Sequence, residues 1–335
     1  MKCKRTVLPL LGTAFEPGRL ADTLNEFEDE ELAEIAQAEA YFFSAQAEAC
    51  VKIVEKYLNS KDVILRMSAD MLYTFANLTL GDAMAAQMAR EDVHICLKKA
   101  FEDEIDLETQ ASCLFALYVI SVLIHIPPEK EMPLLSDYLR YLPEGQRLFA
   151  MNLLAHGAYL NQEYAKGQGM AQTAMMMAEK MYPIPFIYLN CVNAMCQINQ
   201  KDQEGARESV IRAWEIARQD KLLEPFIEYH GLLQGVLEVW VKQREPYVYK
   251  KMMDGVIAFS RGWMKIHNPE MQKAVTDLLT PVEFSIAMLA CRDWTNQEIA
   301  EHMGLSVNTV KHYVSTILEK LQIDKRDKIK EFVNQ

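Results

Sequence analysis

Three closely spaced helix starts near the C-terminus constrain this 335-residue chain more than anything else in it. Thr280, followed by Pro281 and Glu283, and Thr295, followed by Glu298, each head an S/T-x-x-E capping box. In that arrangement hydroxyl and carboxylate each satisfy a backbone N–H that a helix start leaves orphaned. Ser306 caps a third helix, and Gly304 supplies the left-handed residue that ends the second. Helix, tight glycine turn and longer helix together make a helix-turn-helix. On the third helix Val307, Val310, Val314, Ile317, Leu318 and Leu321 recur at three- and four-residue steps and form one apolar stripe. Asn308, Lys311, His312 and Ser315 fall on the other side, with the hydrogen-bonding groups and fixed charge that a base-reading helix needs in a major groove.

The segment resembles the LuxR-type DNA-binding domain. The resemblance is carried by Leu279-Thr280-Pro281-Val282-Glu283, Asn296-Gln297-Glu298-Ile299-Ala300, Ser306-Val307-Asn308-Thr309-Val310-Lys311, and 314–321, and it covers 279–335. It implies that Lys311, His312 and Ser315 face base edges and that Asn308, Thr309 and Lys320 lie near the DNA backbone, with Ser306 at the head of the same helix. Thr295 and Asn296 are implied as phosphate contacts at a helix N-terminus, where free N–H groups favour an anion. A last helix over 327–333 matches the family's dimerising helix, with Ile329 and Phe332 as contacts. The family often has Lys or Arg where this chain has Gln297 and Ser315.

Charge sharpens this expectation. The chain carries a net −12. From Thr280 onward there are seven Lys/Arg and eight Asp/Glu, which leaves 28 against 39 in the rest. A near-neutral DNA domain gains little from phosphate neutralisation, so it points to dimers on double-stranded DNA, clustered copies, or help from RNA polymerase.

Before the DNA domain almost every segment reads as helix, because Gly and Pro fall between periodic stretches and nothing alternates for long. Helices are expected at 30–44, 45–58, 63–80, 82–101, 106–126, 134–141, 146–161, 167–180, 185–198 and 203–219, then two more over 224–265 broken near Pro246. Ala171 and Ala178 are echoed 35 residues later by Ala206 and Ala213, and Ala47 and Ala83 head second helices 36 apart. That period suggests tetratricopeptide-like pairs stacked around a concave face. The expected fold is therefore all-α: a TPR-like sensor or interaction array over 1–264, a linker over 265–277 beginning before Asn268-Pro269, and a four-helix LuxR-type domain over 278–335. The arrangement also resembles the helical sensor region of activators related to the maltose-regulon activator, although no Gly-x4-Gly-Lys-Ser/Thr is present to carry over their ATPase.

Tyr159, Asn161, Tyr164, Asn190 and Asn193 are candidates to line a ligand groove on the array, for a small molecule or a protein effector. Methionines at 170, 175–177 and 181 read as core filling. Seven scattered cysteines without a CxxC fit a reducing cytoplasm and packed thiols, with no metal site. The N-terminus faintly mimics a secretory signal, but Pro9 interrupts it. The stretch 113–126 is too short for a membrane span, which needs ~20 residues. No catalytic motif or cofactor motif is present. The expected function is a cytoplasmic, DNA-binding transcription regulator and not an enzyme; a protein-interaction scaffold merely localised by its DNA domain is the alternative.

Overall fold

The computed structural model describes residues 5–103, 105–126, 132–267 and 279–330. Among them there is no strand, and helices follow one another in antiparallel pairs. Helix α2 (Glu30–Phe43) pairs with α3 (Ala47–Val54), α4 (Val63–Leu80) with α5 (Ala83–Glu102), α8 (Glu144–Leu160) with α9 (Tyr164–Met177), and α10 (Pro183–Asn199) with α11 (Gln203–Asp220). Helix α6 (Leu107–Leu123) stands between the second and third pairs, and the short α1 (Leu20–Leu24) and α7 (Leu135–Tyr138) are connectors.

The starts have a common chemical cause. Asp29, Asp62, Asp82, Asp106 and Asp202 each cap a helix by accepting a backbone N–H in its first turn. The repeat is real but imperfect. Ala171, Ala206 and Ala213 are fully buried where helices of a pair meet, whereas Ala178 lies past the end of α9. On α5 it is Ala86, one turn beyond Ala83, that is buried.

Where two helices were expected over 224–265 there are three: α12 (Glu224–Leu233), α13 (Val236–Arg244) and α14 (Pro246–His267). The additional break is at Gln234 and Gly235, both left-handed, with φ of 47° and 90°. Helix α14 runs three residues into the expected linker, and the rest of that linker, 268–277, lies outside the described residues. It turns back onto α4: Gly262 leaves no room for a side chain beside the Leu78 backbone, and Lys265 Nζ donates to the Gly81 carbonyl at 3.0 Å.

The inner face of the array is filled by the chain itself. Residues 5–15 run along α2, α4 and α8. Leu8 N–H donates to Ser68 at 3.1 Å, Leu10 and Leu11 N–H donate to the two Glu39 oxygens at 2.9 and 2.8 Å, and Gln146 donates to the Val7 carbonyl. Val7, Leu10 and Leu11 are as deeply buried as any core residue. The apolar run that mimics a signal peptide is thus the inner strap of the array. Arg5 anchors its start by donating to Asp29, Glu31 and Asp62.

Among the described residues the C-terminal domain comprises α15 (Pro281–Cys291), α16 (Asn296–Met303), α17 (Val307–Lys320) and a 3-10 turn at Arg326–Lys328 that leads into helical residues 329–330; the rest of the last helix expected over 327–333 lies outside the described residues. No helix among the described residues is long and apolar enough to cross a membrane.

Candidate nucleic-acid interface

All three starts of the C-terminal domain are built as the sequence implies. Thr280 and Thr295 form complete capping boxes with Glu283 and Glu298, Ser306 accepts the Thr309 N–H at 3.1 Å, and Gly304 is left-handed. Val310, Val314, Ile317 and Leu321 are buried in the core that also holds Ile286, Leu289, Trp294 and Ile299; Val307 and Leu318 are half-buried. That burial fixes the rotation of α17 about its axis. Asn308, Lys311, His312 and Ser315 are therefore exposed together along its outer face.

The other expected contacts are placed differently. Thr295 and Ser306 are exposed but engaged in capping, and Thr309 bonds Ser306 Oγ at 2.8 Å. Asn296 accepts from Arg326 at 2.7 Å. Lys320 donates to both Glu283 oxygens at 2.8 and 2.7 Å, tying the end of α17 to the start of α15. Its ammonium serves the domain's own geometry before any phosphate. Lys328 and Lys330 pair with Asp324 and Asp293, and Arg326 also donates to the Trp294 carbonyl. Of the seven basic residues, Arg292, Lys311, Lys325 and Arg326 have no ion pair among the described residues; Arg292 and Arg326 are tied into the fold by hydrogen bonds, which leaves Lys311 and Lys325. Ile329, expected at a dimer contact, is fully buried within the monomer and offers no surface to a second copy. Phe332 lies outside the described residues.

The domain is seated on the array, and small residues make the seat. Helix α15 lies against α12, and α16 against α13. A side chain at Gly231 would meet the Phe284 ring at 2.6 Å. Gly235 holds a φ that only glycine adopts cheaply and leaves the space that Met303 fills. Between them His302 Nε2 lies 2.8 Å from the Gln234 carbonyl, so Nε2 carries the proton. Burial holds His302 below the usual imidazole range, which keeps it neutral at this contact. Lys201 pairs with Glu298 at 2.6 Å, and Arg292 donates to the Tyr159 hydroxyl.

Of the proposed groove residues, Tyr159 and Tyr164 line a cleft at this junction, and Asn161 is exposed. Asn190 and Asn193 do not reach it. Asn190 donates to the Phe186 carbonyl at 2.8 Å and accepts from Arg212, while Asn193 donates to Ser209 at 2.8 Å inside the α10–α11 pair. Both are buried because they bond neighbouring helices, and so they are corrected from ligand contacts to packing groups. The sequence reading missed Arg292, His156 and Trp263, which share the cleft with the two tyrosines. They are scattered over more than a hundred residues, and no local motif links them.

The six described cysteines are buried, with no disulfide among them. Met195 is core, but Met176 and Met177 are 85% and 76% exposed, so core filling does not describe the whole cluster. One group has ligand atoms within 4.8 Å of one another, Asp70, Asp92 and Cys96. There Arg66 donates to both Asp92 oxygens, and burial, with the Asp92 carboxylate, pushes Asp70 up to about 9. A guanidinium and a protonated acid already balance this cluster, which leaves little for a cation to gain.

Comparison with known proteins agrees with the geometry. Residues 277–332 match the family model of GerE, bacterial regulatory proteins of the luxR family. Relatives include the response regulator protein VraR of Staphylococcus aureus strains Mu3, NCTC 8325 and COL. Each is 32% identical over 118 residues, covering 31% of this chain and 55% of the relative. The chain thus spans about half the length of the curated relatives it matches. No solved structure gives a significant match. An array of paired helices ends here in a C-terminal helix-turn-helix domain of the LuxR family.

Proposed function

We propose that this chain is a transcription regulator in which the array senses a ligand or partner and thereby controls promoter binding by α17. The observation that carries the DNA-reading half is the outer face of α17, where Asn308, Lys311, His312 and Ser315 stand exposed while the opposite stripe is buried. Support for the regulatory half comes from the seat. Gly231, Gln234 and Gly235 hold α15 and α16 through shape and one hydrogen bond. A signal that alters this seat changes the population able to engage DNA. With only two exposed, uncommitted lysines per domain, Lys311 and Lys325, two copies on adjacent half-sites supply the affinity that one lacks. RNA polymerase is a further candidate source of affinity.

The test is footprinting of DNA selected from a random pool. Lys311→Ala with His312→Ala should abolish protection while leaving the thermal midpoint unchanged; protection equal to wild type refutes the base-reading assignment.

The scaffold reading keeps one supporting observation. Met84, Met88 and Ile95 are exposed on one face of α5, the kind of adaptable surface that a partner protein covers. Co-purification of a stoichiometric partner that is lost in Met88→Glu, with no DNA selected, would favour it.

A further inference from the structure

The seat holds an open cleft of about 890 Å³, within the range of small-molecule sites, roughly 300–1,000 Å³. Its walls come from both parts of the chain. The array supplies His156, Tyr159, Tyr229 and Trp263, while Met288 of α15 and Arg292 just beyond it complete the lining.

Most polar groups of the lining are already satisfied. Tyr229 accepts from Asn152 at 3.3 Å and lies 3.0 Å from His156 Nδ1, so its hydroxyl donates there. His156 then carries its proton on Nε2 and gives it to His125 Nε2 at 3.3 Å. Glu228 accepts from Tyr188 at 2.5 Å. Lys201 and Lys330 are committed to Glu298 and Asp293. Arg292 is different. One of its terminal nitrogens donates to Tyr159, but Nη1 is buried with no hydrogen-bond partner. A buried cationic N–H without an acceptor is costly, and a carboxylate oxygen is its strongest complement.

We propose that this cleft binds a small carboxylate with an apolar body. The carboxylate accepts from Arg292 Nη1, and the body packs on Trp263, Met288 and the aromatic wall. One available cation suits a monoanion better than a phosphate, and the mainly apolar wall suits a hydrocarbon or aromatic body. Such a molecule touches the array and the DNA domain at once, so its binding is coupled to their seating. This deepens the sensor reading above and rests on it.

The test is isothermal titration of the full chain with phenylacetate, indole-3-acetate and octanoate, each beside its uncharged amide. At least one acid, aromatic or aliphatic, should bind saturably at one per chain. Its amide should bind about ten-fold or more weakly, the loss expected when a charge-assisted hydrogen bond is removed. Arg292→Met should lose the same factor, and Ser260→Trp, which adds bulk at another position of the lining, should block binding. The proposal is overturned if no acid binds, if amides bind equally, or if both variants bind as wild type does. DNA affinity, measured on the same protein without any acid, separates the two readings. DNA binding without acid binding sinks this inference alone; acid binding without DNA binding sinks the regulator reading alone.

Discussion

Helix α17 and the inner helices of the array both carry short polar side chains at helical spacing, yet the two sets end in opposite environments. On α17, Asn308, Lys311, His312 and Ser315 are exposed, with no hydrogen bond or ion pair of their side chains among the described residues. In the array, Glu39, Gln146, Asn190 and Asn193 are buried and bond the chain's own backbone or neighbouring helices. A buried polar group must find partners, so the array's polar residues are fixed by stability. Those of α17 carry no such duty and are available for a ligand. The difference between them is what each helix packs against, not composition.

Substitutions on the two sides should therefore fail in different ways. The largest effect is expected in the inner strap. Leu10→Ala removes a fully buried side chain and should cost roughly 2–5 kcal/mol of stability, read as a lower denaturant midpoint. A cost near zero would mean that the strap is not part of the core.

Next are the two neighbouring acids of α12, Glu224 and Glu228. Burial holds both carboxyls above the usual carboxylate range, so in the window between the usual and the raised values the folded chain holds protons that the unfolded chain has lost. Stability should fall as pH rises through that window, and Glu228→Gln should flatten the slope. Unchanged slope in the variant would contradict this.

On the exposed side, Lys311→Ala and His312→Ala should each cost about 1–3 kcal/mol of discrimination between selected and random DNA, with no change in the unfolding midpoint. The smallest effect is expected at the Lys201–Glu298 pair. It is open to solvent, so Lys201→Ala should leave both stability and DNA affinity within error.

How much could be read beforehand follows from the same contrast. The DNA domain was legible because its information is local: a cap and its carboxylate lie three residues apart, and the stripe on α17 repeats every turn. The helices of the array were legible for the same reason, through periodicity and breaks. The break at Gln234–Gly235 was missed because a left-handed Gln carries no signature, although Gly235 beside it was a hint. The strap was missed because Pro9 and Gly12 end every periodic pattern, and only Glu39, Ser68 and Gln146, far along the chain, explain its burial. Asn190 and Asn193 were misassigned because the same residue types serve a groove or a helix pair equally well. Ile329 reads as a contact between copies from sequence because an apolar residue at a helix end looks the same whether its own domain or a second one covers it; here its own domain does.

If the array and the recognition helix form one device through the seat at Gly231, Gln234 and Gly235, DNA bound at one end must be felt at the other. Amide hydrogen exchange on the whole chain, with and without DNA selected from a random pool, reads this out. Protection is expected at the start of α17 together with an altered exchange rate over 231–244 in the array. Protection confined to 295–330, with 231–244 unchanged, would contradict that coupling.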